Sequence, residues 1–203
     1  MLGNLLDTPG KELWATLEKF AQRGINREDW EALRANDGNN SWMDLVVEAM
    51  LASKIRTRTF KVRVNHSKAI EEKTATGFIY VNSNITSNNF PVNQTGEMEV
   101  EAVAVNFGRK VTLNKVRCSF AEMGLETGIL TLLVDTSNQH QTKELDKCLP
   151  LISPDPVWVA VVGIGRVACL GGGVGGRRLD LDCAGGAWRG SYWFLGFRTS
   201  VSN

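Results

Sequence analysis

After Lys147 the chain contains no Lys, Glu, Gln, Met or His, although Lys and Glu are frequent before that point. Charge of one sign is also missing: the net charge is +1, so no bulk field draws nucleic acid or acidic lipid toward the protein, and neither is expected as a partner. Long apolar runs are absent. The longest, Val157 to Leu170, is broken by Gly163, Gly165 and Arg166 and is too short to span a bilayer, so no membrane insertion is expected. The start, Met1 to Asp7, lacks the basic region and apolar core of a secretory signal. The expected compartment is therefore the cytoplasm, with surface display by another route left open. The four cysteines, Cys118, Cys148, Cys169 and Cys183, contain no C-x-x-C, which argues against zinc and for buried structural thiols. The two histidines, His66 and His140, lie far apart in polar stretches and share no motif with a nucleophile. No G-x-x-x-x-G-K-[ST] or H-E-x-x-H is present. No catalytic residue, metal or cofactor is expected from these residues.

What is present suits a globular protein, with 43% hydrophobic and 22% charged residues in 203. Residues 1 to about 55 read as three short amphipathic helices. Pro9 follows a capping Asp7-Thr8, Leu13, Trp14, Leu17 and Phe20 recur at helical spacing, and Gly24 and Gly38 punctuate the segment. Oligomerisation or docking through this module is possible. Arg56 to Val64 alternates basic and β-favouring residues and predicts a strand with one charged face, suited to a sheet edge. Residues 65 to 95 are polar and Asn-rich and read as loop with short strands, closing at Phe90-Pro91. Four N-x-S/T sequons, at Asn39, Asn65, Asn84 and Asn93, are what an Asn-rich chain produces by chance. From Gly96 a second unit begins. A strand is predicted over Met98 to Phe107, a helix over Thr112 to Met123 stopped by Gly124, a second helix from Gly128 to about Val134, and a further turn over Thr142 to Leu149. After Pro150, Pro154 and Pro156, the unbroken apolar run Val157 to Val162 predicts a buried strand, and Tyr192 to Arg198 a terminal one.

The densest departure in composition is Gly171 to Tyr192. Gly171-Gly172-Gly173-Val174-Gly175-Gly176 satisfies G-x-G-x-x-G after an apolar strand, but a dinucleotide site needs a helix next. The chain continues instead with Arg178-Leu179-Asp180-Leu181-Asp182, a period-two pattern. It predicts a strand that buries the leucines and turns the intervening side chains outward. Asp180 and Asp182 without further carboxylates make a weak calcium or acid–base site and read better as surface acids opposite nearby arginines.

The order of strand, two helices, proline-rich connector, irregular Gly/Trp-rich strands and a final strand ending in Gly196-Phe197-Arg198 resembles the C-type-lectin fold. More narrowly, it resembles the variable proteins of diversity-generating retroelements. In these a C-terminal lectin-like domain carries a stretch diversified at adenines by mutagenic reverse transcription. The run Cys169-Leu170, Gly171 to Gly176, Arg177, Leu179-x-Leu181, Trp188, Phe194-Leu195 and Arg198 is also similar to one shared by a group of short uncharacterised bacterial proteins. Randomising the adenines of AAC codons cannot produce Lys, Glu, Gln, Met or Trp. Of these five, positions 171 to 192 contain only Trp188, read as a fixed framework residue.

The resulting expectation is an α+β chain, with a helical module over 1–55, a connecting β/loop region over 56–95 and a C-type-lectin-like variable domain over 96–203. Its function would be non-enzymatic binding of an unidentified protein or small ligand. The surface would comprise Gly173, Val174, Arg178, Asp180, Asp182, Ala184, Gly185, Arg189, Ser191 and Tyr192, with Arg178, Arg189 and Tyr192 as anchors. "Lectin-like" here names a fold and implies neither sugar nor calcium. Two alternatives stand beside it: an oxidoreductase of the formylglycine-generating type, which shares the fold and would draw on Cys169 and Cys183, and an assembly protein acting through the helical module.

Overall fold

The computed structural model describes residues 55–199. The helices expected over residues 1 to 54 therefore lie outside the described residues. The described chain is mixed α+β. It runs β1 (Arg56–Asn65), α1 (Ile70–Thr74), β2 (Phe78–Val81), β3 (Glu97–Asn106), β4 (Val111–Thr112), α2 (Leu113–Glu122), β5 (Glu126–Thr127), α3 (Leu130–Gln139) and α4 (Lys143–Asp146). Then come β6 (Leu151–Ile152), β7 (Trp158–Val159), β8 (Gly165–Gly173), β9 (Gly176–Cys183), β10 (Ala187–Trp188) and β11 (Trp193–Thr199). No described helix is long and apolar enough to cross a membrane.

Among the described residues one large mixed sheet has the order β1-β3-β11-β6-β8-β9-β2, with β5 added on β11 and β7 on β8; β4 and β10 form a separate pair. β11 lies antiparallel to β3 and parallel to β6, so the last strand lies in the interior of the sheet. Each face carries its own core. One gathers Phe60, Val62 and Val64 of β1, Leu170 of β8, and Leu179 and Leu181 of β9 under α3. The other gathers Val103 and Val105 of β3, Val167 of β8 and Phe194 of β11 with Val116 and Phe120 of α2 and with Trp188.

Several elements agree closely with the sequence pattern. β3 and β11 stand where the alternating and terminal strands were expected. Thr112 caps α2 by accepting the Lys115 N–H at 3.3 Å, and the helix stops before Gly124. β1 is indeed an edge strand, yet its outer edge is closed by side chains of α3 as well as by charge. Gln139 donates to the Arg63 carbonyl at 2.7 Å and accepts its N–H at 3.0 Å. His140 Nε2 meets the Lys61 carbonyl at 2.8 Å, and Asp135 accepts the Asn65 N–H at 3.0 Å. An amide side chain thus takes the place of a neighbouring strand.

Three expectations change. The segment 56–95 is no connector: it supplies both edges of the sheet, β1 at one end and β2 at the other, and shares the core with residues 96–199. α3 extends to Gln139, five residues past Val134, because its polar end is satisfied by distant partners. The apolar run Val157 to Val162 is not a buried strand. Only Trp158 and Val159 pair with β8, and the chain then turns through hydrogen bonds from Gly163 N–H to Ala160 O and from Ala160 N–H to Ile164 O. That turn carries Val161 (104% exposed) and Val162 (76%) into solvent.

Candidate functional site

The glycine run closes β8 and opens β9 across the turn of a hairpin. Antiparallel pairing from Arg166↔Cys183 to Gly173↔Gly176 leaves Val174 and Gly175 as a two-residue loop, and Gly175 takes the positive φ (+92°) that such a turn requires of its second residue. β9, not a helix, comes after the run, so the phosphate-cradling arrangement suggested by G-x-G-x-x-G is not built.

Along β9 the side chains alternate as the leucine spacing predicts. Arg177, Leu179 and Leu181 are buried, while Arg178 is exposed and Asp180 and Asp182 are half-buried on the opposite face. Cross-strand neighbours share a face, so that opposite face also carries Gly171, Cys169 and Val167 of β8. β2 widens it. The Arg178 guanidinium lies 4.7 Å from the Tyr80 ring centroid, and Asn82 Nδ2 donates to Asp180 at 2.8 Å. Asp180 also accepts the Leu181 N–H, and Asp182 the Cys183 N–H at 2.7 Å.

The strip continues through the segment after β9. Trp188 is buried, with its ring edge-on to Tyr192 at 5.2 Å and to Phe194 at 6.1 Å. Asn106, wholly buried at the end of β3, fixes the backbone that presents Tyr192. Its Nδ2 donates to the Gly190 and Tyr192 carbonyls, both at 2.8 Å, while its Oδ1 accepts from Arg56 and from the Gly108 N–H. A Cβ at position 190 would lie 2.8 Å from the Arg109 backbone nitrogen, so glycine is a packing requirement there. Partial burial, and then the Asp182 charge, raise the Tyr192 hydroxyl above its ordinary pKa.

All ten expected site residues are exposed or half-buried. Arg178, Asp180, Asp182 and Tyr192 share one strip, Gly173 and Val174 form the hairpin tip, and Ala184, Gly185, Arg189 and Ser191 lie on the loops beyond β9. Sequence reading missed Tyr80, Asn82 and Asn106, which carry no local signal. It also missed Arg177, which does: its parity with Leu179 and Leu181 places it on the core face.

The structure does not bring the two candidate redox cysteines together. Cys169 pairs with Asp180 and Cys183 with Arg166, three steps apart and on opposite faces of the hairpin. Burial, then Asp182 and Asp180, push the Cys169 thiol up to about 12, and burial pushes Cys148 up to about 11, so both are protonated near neutrality. Among the described residues no group of three His, Cys, Asp or Glu is placed to hold a metal ion.

A second polar cluster lies under the other face. Lys73 of α1 donates to Asp135 of α3 at 2.5 Å with its side chain 2% exposed, at the floor of a 790 Å³ groove. His66 is buried nearby with neither ring nitrogen partnered. Burial, and then the Lys73 charge, hold His66 below its ordinary 6.5, with Asp135 opposing. The folded form thus binds fewer protons at this site than the unfolded chain. Its contribution to stability is complete above about pH 6.5 and is lost as pH falls through that value toward the lower folded pKa. Urea midpoints between about pH 7 and pH 5 are expected to fall less steeply for His66→Phe than for the unaltered protein; equal slopes would remove His66 from the account.

No protein family, curated protein or solved structure matches the chain.

Proposed function

We propose that this protein is a non-enzymatic binder that displays a changeable surface on a C-type-lectin-like scaffold, in the manner of the variable proteins of diversity-generating retroelements. The fold part is supported by β3 and β11, the first and last strands of residues 96–199, which pair antiparallel with the two ten-residue helices α2 and α3, and the short α4, between them. The observation that carries the functional part is the alternation along β9 between buried leucines and exposed or half-buried polar side chains. Leu179, Leu181 and Trp188 are buried in the cores, while Arg178 and Arg189 are exposed and Asp180 and Asp182 stand half-buried at the margin of the second core. A surface built this way changes its chemistry at little cost: exposed substitutions cost within about 0.5 kcal/mol each, whereas Leu179→Ala costs about 2–5 kcal/mol. The mixture of two arginines, two aspartates, a tyrosine and small spacers suits a protein or polar small-molecule partner.

The test is to sequence the locus in many sibling cells, seeking a near-copy of the codons for 171–192 beside a reverse-transcriptase gene. Differences at adenines should fall on Gly173, Val174, Arg178, Asp180, Asp182, Ala184, Gly185, Arg189, Ser191 and Tyr192. They should spare Arg177, Leu179, Leu181, Trp188 and Gly190. Variation spread evenly over both sets, or no copy, would end the diversification reading. The combined Arg178→Ala, Asp180→Ala, Asp182→Ala and Arg189→Ala variant should unfold within about 2 kcal/mol of the parent. A larger loss in urea titration would mean that these residues support the fold.

A further inference from the structure

The cap on β1 is incomplete. Arg63 turns both its N–H and its C=O outward to Gln139, and the Lys61 carbonyl and Asn65 N–H also point outward. Alternate residues of a paired strand direct their backbone groups to the same side, so Thr57 and Thr59 point outward too. α3 ends at Gln139, and no described residue bonds their N–H or C=O groups. Both threonines are exposed. Among the described residues the result is a short free edge from Thr57 to the Lys61 N–H, and the groups spaced along it are satisfied by an extended backbone.

We propose that a second copy of this chain occupies this edge, antiparallel about a two-fold axis through Thr59. An antiparallel edge is self-complementary, and the residues choose the register. Centred on Thr59, the pairs are Thr59 with the partner's Thr59, Thr57 with the partner's Lys61, and Arg58 with the partner's Phe60. No like charges stand opposite in this register. Moving the centre to Arg58 sets Arg58 against the partner's Arg58, and moving it to Thr57 sets Arg56 against the partner's Arg58. Moving it to Phe60 puts Thr57 opposite the partner's Arg63, both of whose outward groups are held by Gln139, whereas at Lys61 only the carbonyl is held, by His140. This interface is independent of the β8–β9 surface and lies at the other end of the sheet from it, so the dimer would be bivalent.

Sedimentation of the full chain up to high-micromolar concentration tests the proposal. A monomer–dimer equilibrium is expected, and Thr59→Pro, which deletes an outward N–H that no described residue uses, should leave monomer. Register is read by a charge pair that does not depend on that variant folding. Thr57→Glu meets the partner's Lys61 twice and should tighten the dimer by roughly 2- to 20-fold, while Thr59→Glu meets its own copy and should loosen it by roughly 2- to 5-fold. A chain that is monomeric throughout overturns the proposal, as does a dimer whose constant is unmoved by all three substitutions.

Discussion

Replacing Arg177 with Ala should lower the unfolding free energy by about 3–5 kcal/mol, the loss expected when one partner of a buried charged network is removed. Arg177 stands inside the glycine-rich stretch, yet its side chain is buried. Its Nη1 donates to the Ser137 carbonyl at 2.6 Å, and its Nη2 to the His140 carbonyl and to Asp146, both at 3.0 Å. Two of these acceptors are carbonyls at the C-terminal end of α3, where a helix leaves its acceptors unpaired and favours a positive charge. Truncation strands the Ser137 carbonyl in the core. The Asp146 contact adds less, because that carboxylate is half exposed and screened. Arg177→Lys should recover less than half of the loss, since an ammonium cannot fork between three acceptors. Urea titrations of the three proteins decide the matter. A loss below about 1 kcal/mol would mean that water replaces the guanidinium at the helix end.

Lys73→Met should cost a similar amount, about 3–5 kcal/mol, by leaving the Asp135 carboxylate, 10% exposed, with the Asn65 N–H as its one donor among the described residues. Burial lowers the Lys73 pKa even with Asp135 beside it, so desolvation offsets much of the pair's attraction. The two singles should therefore not add. Combining Lys73→Met with Asp135→Leu should restore at least about 2 kcal/mol of the summed loss, because it removes both charges from the core together. A double-mutant cycle measured by chemical denaturation gives this coupling, and strict additivity would show that the groups do not interact.

These two sites mark where the sequence was legible and where it was not. β3, α2 with its Thr112 cap, β11 and the leucine alternation of β9 are written in periodicity and punctuation, which act over a few residues. The end of α3 is not. Asp135, Ser137 and Gln139 look like helix-terminating polar residues until Lys73, Arg177 and Arg63 arrive from elsewhere in the chain to pair with them. Hydrophobicity misled at Val157 to Val162 for a related reason: an apolar run names a preference for burial, and the turn at Ala160–Gly163 denies it a partner among the described residues. At the candidate surface, the outward positions were legible from parity, while Tyr80 and Asn82 lie in and just after a short strand hidden in a polar stretch, and Asn106 acts through contacts made more than eighty residues away.

The alternation along β9 also limits the kinds of change the surface can accept. Adding or removing one residue between Arg177 and Asp182 would exchange the two faces downstream, driving an aspartate among the leucines and a leucine into water. Point replacements are therefore admissible here and insertions of an odd number of residues are not. Changes of length belong at Val174–Gly175 and at Ala184–Gly186, where the chain runs between paired segments. A lineage that remodels this protein would thus be expected to show a strand of constant length with shifting composition, bounded by two loops free to grow.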